Sequence, residues 1–86
     1  MINTEQLEDS IFDLEGVRVV IRASKYQTFE EYPYVRKASG NMSIKDWLNT
    51  RIKKHVGDFE VEVIDGSGQS PHGRTNMETV RSNYRD

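Results

Sequence analysis

The stretch Met42–Asp65, MSIKDWLNTRIKKHVGDFEVEVID, changes its hydrophobic period partway along, and that change decides the fold. In the first part Ile44, Trp47, Leu48, Ile52 and Val56 recur at the three- to four-residue spacing of one helix face. Ser43 stands where a side-chain oxygen caps the first turn, and Asp46 follows three residues on as an acidic variant of the capping box. Met42 and Trp47 are spaced as a hydrophobic staple, and Gly57 suits the residue that closes a helix. After Asp58 the period drops to two, with Phe59, Val61 and Val63 on one face of a strand and Glu60 and Glu62 on the other. A helix feeding a strand whose apolar faces pack together makes this an α+β chain.

Outward from that unit, GVRVVIRA (Gly16–Ala23) alternates Val17, Val19 and Ile21 against Arg18, Val20 and Arg22, the pattern of a half-buried strand. Its Arg18 and Arg22 match Glu60 and Glu62, and opposite charges on neighbouring strands stabilise a pair by about 0.2–1 kcal/mol, so the two strands are expected side by side. Before it, Asn3-x-x-Gln6 followed by Leu7, Ile11 and Leu14 predicts a helix over about residues 4–14, stopped by Gly16. YPYVRKA (Tyr32–Ala38) reads as a second strand, confined to an edge because Pro33 has no N–H for a ladder. Thr75-x-x-Glu78 opens a last short helix with Met77, Val80 and Tyr84 inward. The expected order is α-β-β-α-β-α, a single-layer three-stranded mixed sheet packed on the central helix. Its first strand lies in the middle, and its second and third run parallel through a right-handed crossover.

The chain of 86 residues suffices for one small domain over residues 1–86 with a core one layer deep. Hydrophobic residues make up 35% and charged ones 30%. No cysteine is present, which excludes a disulfide framework, a zinc knuckle or a thiol nucleophile. The longest purely apolar run is Val19–Ile21 and the N-terminus has no basic or apolar region, so neither a signal peptide nor a membrane span is expected and the chain reads as cytoplasmic. Its net charge of −2 is segmented. Residues 1–15 carry five acids and no base, residues 16–57 nine bases against Glu30, Glu31 and Asp46, and residues 58–65 four acids. Such alternation is read first as pairing between neighbouring elements.

GQSPHGRT (Gly68–Thr75) differs by one letter from the phosphate-loop pattern G-x-x-x-x-G-K-[ST]. Arg74 replaces the lysine, Pro71 removes one of the N–H groups a phosphate cradle needs, and only eleven residues follow, too few for the strands such enzymes require. Nucleotide hydrolysis is not expected; a turn capped by Thr75 is. A weaker reading keeps Gly73, Arg74 and Thr75 as a general anion site at a helix start. DGSGQ from Asp65 has oxygen residues where a calcium loop begins, but its glycine is misplaced and Asn76 stands at the twelfth position. His55 and His72 have no partner at triad or ligand spacing, so no catalytic residue, metal or cofactor is assigned.

The densest signal is KYQTFEEYPYVRK, where Tyr26, Phe29, Tyr32 and Tyr34 supply half of the eight aromatics beside Arg36 and Lys37. Tyrosine and arginine are enriched in binding hot spots, and a proline-interrupted edge strand is a contact surface. The expected function is a non-enzymatic protein-binding module docking through this aromatic hairpin edge onto another protein, with a homodimer through the same edge as one form. Adaptors, regulators and inhibitors of phage and mobile elements are often chains of this size and style. The alternative is a nucleic-acid-binding module using the same aromatics and bases as a stacking platform.

Overall fold

The computed structural model describes residues 1–84. Its N-terminal helix, Thr4–Glu15, begins in a reciprocal capping box: the Asn3 side chain accepts the Gln6 N–H at 2.8 Å and the Gln6 side chain accepts the Asn3 N–H at 3.0 Å. It ends at Gly16, whose φ of 72° lets its N–H reach the Phe12 carbonyl at 2.8 Å. Leu7 and Ile11 face the core.

Two short antiparallel sheets follow. Strand β1, Ile2–Asn3, pairs with β3, Thr28–Phe29, while β2, Arg18–Ile21, pairs with β4, Val61–Ile64. The β2–β4 pairing carries the cross-strand charges: Arg22 Nη2 lies 2.7 Å from Glu62 Oε2. Arg18 turns the other way, over the Phe12 ring at 4.3 Å and toward Asp9 at 3.9 Å. At the end of this ladder the Tyr84 hydroxyl accepts the Arg18 N–H at 2.9 Å and donates to the Ile64 carbonyl, taking the place of one ladder bond.

The expected single three-stranded mixed sheet is therefore replaced by two two-stranded antiparallel ones. The segment Tyr32–Ala38 forms no strand, so there is no parallel crossover through the central helix. Pro33 has no N–H to offer, and the polar groups of this segment are bonded to side chains of three helices instead.

The central helix starts as Ile44–Trp47, passes through a wide turn over Leu48–Ile52 and closes as Lys53–Val56 before Gly57, at φ 74°. Ser43 caps it, accepting the Asp46 N–H at 3.1 Å. The wide turn has a reason in the sequence. Trp47 and Ile52 are both fully buried yet stand five residues apart, a spacing that in a regular α-helix turns their directions apart by about 140°. A turn closing i→i+5 swings them back toward one face.

The start of the central helix and the start of the C-terminal helix, Met77–Asn83, cap each other. Ile44 and Lys45 donate to the carbonyls of Thr75 and Gly73 at 2.8 and 2.9 Å, and Met77 and Glu78 donate to those of Met42 and Gly40 at 2.8 and 3.0 Å. Asn76, not Thr75, occupies the cap position of the C-terminal helix, and its side chain caps nothing. No helix among the described residues is long and apolar enough to cross a membrane.

Candidate functional site

Glu15 ends the N-terminal helix, where the helix dipole disfavours a negative charge, and its side chain is 0% exposed. Only specific partners can hold a carboxylate there. The Tyr32 hydroxyl donates to it at 2.5 Å, the Ala38 N–H at 2.7 Å and Arg51 Nη1 at 2.8 Å, and Arg81 Nη2 stands 3.6 Å away. Burial alone would push this carboxyl up. The hydrogen bonds from Tyr32, Ala38 and Arg51 outweigh it and hold Glu15 below the usual carboxylate range. The Trp47 indole N–H favours the anion as well, although it is buried outside hydrogen-bond geometry and makes no such bond of its own. Burial, then the bond to Glu15, pushes the Tyr32 hydroxyl above the ordinary tyrosine range. Arg51 is held cationic: burial works against its charge, and Glu15 more than offsets it.

Around this carboxylate the segment from Glu30 to Ala38 is strapped down at successive points. His55 Nε2 donates to the Glu30 carbonyl at 2.7 Å, and its ring meets Tyr32 edge-on at 5.9 Å. Arg51 donates to the Arg36 carbonyl at 2.8 Å and lays its guanidinium over the Tyr34 ring at 4.1 Å. Arg81 closes the far end, donating to the Ala38 and Glu15 carbonyls at 2.8 and 2.6 Å. Between these anchors the crest stands in solvent. Val35 is 89% exposed, and Arg36 and Lys37 after it are exposed as well.

The aromatics expected to share one edge are dispersed. Tyr32 and Tyr34 remain together, with ring centroids 5.1 Å apart. Phe29 is only 6% exposed and packs edge-on against Phe59 at 5.6 Å. Tyr26 is 80% exposed on the preceding turn, with Lys25 Nζ 5.2 Å from its ring.

On the Gly68–Thr75 loop the backbone is already employed. The Arg74 N–H bonds to His72 Nδ1 at 3.1 Å and the Thr75 N–H to the His72 carbonyl at 2.9 Å, while the carbonyls of Gly73 and Thr75 serve the central helix. Arg74 keeps an exposed side chain there. The Asp65–Gln69 stretch is a side-chain-closed turn, with Asp65 Oδ1 accepting the Ser67 and Gln69 N–H groups at 2.8 and 3.0 Å.

Sequence reasoning missed the node itself: Glu15, Arg51 and Arg81. One signal was present, an acid immediately before a closing glycine at the wrong end of a helix. No family model matches the chain, and neither a curated protein nor a solved structure matches it.

Proposed function

We propose that this chain is a non-enzymatic protein-binding module, an adaptor, regulator or inhibitor, that docks through the crest of the strap, Tyr34–Lys37, with Tyr26 as an outlying contact. One observation carries the reading: an apolar side chain, Val35, is held almost fully in solvent on a segment tied down on both sides of it. A loop already ordered gives up little conformational entropy on association, so its contacts go into affinity. Tyr34 and Arg36 beside Val35 supply the residue types that dominate interface energetics. The non-enzymatic part rests on Glu15, whose carboxyl is the most strongly bonded in the described chain yet is sealed from any substrate.

Capture from lysate of the source organism by the wild-type chain and by Val35→Glu tests this. The variant is expected to lose the specifically captured protein while its melting midpoint stays within a few degrees, because an exposed crest residue contributes little to the fold. Equal capture by both chains would contradict it. So would salt-dependent binding of single-stranded oligonucleotides tighter than about 10 μM, lost on neutralising Arg36 and Lys37, which would favour the nucleic-acid reading.

A further inference from the structure

The outer edge of β4 borders a groove that shares no residue with the strap. The bond from the Arg22 N–H to the Glu60 carbonyl, 2.8 Å, makes Arg22 and Glu60 a hydrogen-bonded pair. With Val20 opposite Glu62 and Ile21 opposite Val61, the ladder's alternation turns the N–H and C=O groups of Val61 and Val63 away from β2. Among the described residues nothing bonds to them on that side. On the corresponding edge of β2 the Ile21 N–H is taken by Glu8 at 2.8 Å, so the two edges are not equivalent.

Beside the free edge runs an open groove of about 290 Å³ between β4 and the central helix, closed at one end by Ser70, Pro71 and Gly73. Its apolar wall is Ile44, Leu48, Val61 and Val63; of the charged groups that line it, Glu62 is already paired with Arg22, while Lys45 and Lys53 form no ion pair among the described residues. We propose that β4 accepts an extended peptide as an added strand, and that the peptide carries acidic side chains four residues apart on the face turned toward the central helix. The spacing follows from geometry. Lys45 and Lys53 are eight residues apart on the central helix, a rise of at most about 12 Å because the wide turn between them advances less per residue than a regular α-helix. Four residues of a strand span about 13 Å. Acids at i and i+4 therefore meet the two lysines while a small apolar side chain at i+2 lies over Leu48, and the backbone bonds supply affinity. A second copy of the chain fits this edge poorly, because antiparallel β4–β4 pairing crowds Glu60 and Glu62 of both copies on one face.

The test is a titration of the isotopically labelled whole chain with the capped peptide Thr-Glu-Thr-Val-Thr-Glu-Thr, followed by amide shifts and exchange. Saturable shifts and slowed exchange are expected at the Val61 and Val63 amides. Lys45→Glu with Lys53→Glu, both exposed positions, should weaken binding at least about tenfold, as should replacing both peptide glutamates by lysine. Absence of saturable shifts up to about 5 mM peptide, weaker than any useful docking, would overturn the proposal. It would be overturned equally by unchanged affinity in the double variant, or by concentration-dependent Val61 and Val63 shifts without peptide, which would assign the edge to a second copy. Failure here leaves the strap reading untouched, since Val35 and the groove are tested by separate variants.

Discussion

Glu15 is a carboxylate with no solvent contact, bonded by Tyr32, Ala38 and Arg51. Glu15→Gln keeps the shape but leaves Arg51 and Arg81, both largely covered, facing no charge; a loss of about 3–5 kcal/mol in urea unfolding is expected. Tyr32→Phe removes one donor and should cost about 1–3 kcal/mol. The pH dependence has a definite sign. Because the folded state holds Glu15 below its ordinary value, its contribution is complete above about pH 4.5 and is lost as pH falls further. Tyr32 acts in the opposite direction. Its folded-state value is raised, so its contribution is complete below about pH 10 and is lost as pH rises beyond that. Melting midpoints that fall at the acid limb in the wild type, and fall distinctly less in Glu15→Gln, would bear out the role of the carboxylate. Parallel acid limbs in the two proteins would contradict it.

At the scale of elements, the β2–β4 pairing and the turn after it can be tested separately. Arg22→Glu and Glu62→Arg, each alone, should destabilise modestly, and the double reversal should recover part of the loss with a coupling of about 0.2–1 kcal/mol, small because both side chains are near half exposed. Strict additivity would argue against the pairing. Gly66 is constrained by backbone: a Cβ there would stand 2.2 Å from the Asn83 carbonyl oxygen, and the Gly66 N–H donates to Asn83 Oδ1 at 2.7 Å. Gly66→Ala should therefore detach the end of the C-terminal helix and lower the melting midpoint by several degrees. The elements that could be read from sequence are those with local signals. Asn3 and Gln6 meet three residues apart, Gly16 closes its own helix, and the Arg22–Glu62 attraction follows from alternation within each strand. The strap could not be read, because Tyr32 and Ala38 are fixed through Glu15, Arg51 and Arg81 by contacts that join residues 17 to 66 positions apart, and no periodicity reports such contacts. Two-residue strands such as β1 and β3 are also too short to show alternation. The wide turn of the central helix was concealed by a stripe that fits a regular helix until burial of both Trp47 and Ile52 is required.

Across the whole molecule the segmented charge is paired in part. Of the nine bases in residues 16–57, Arg18 reaches Asp9, Arg51 reaches Glu15 and Arg22 reaches Glu62, so pairing between neighbouring elements accounts for part of the alternation, while the remaining six form no ion pair among the described residues. The Cα radius of gyration, 12.0 Å, is about that of a compact chain of this length, and the core is a continuous cluster from Leu7 to Val80 beneath the strap. The segment Tyr32–Ala38 is thus a clamped loop over a buried carboxylate and no part of a sheet, and its exposed crest follows from that clamping. Amide hydrogen exchange across residues 32–38 at neutral pH tests this most directly. Ala38, whose N–H is buried on Glu15, is expected to be strongly protected, while Tyr34, Val35, Arg36 and Lys37, whose amides have no partner among the described residues, exchange quickly. Protection alternating along Tyr34–Ala38, as a paired edge strand gives, or an Ala38 amide that exchanges as fast as that of Val35, would contradict the clamped strap.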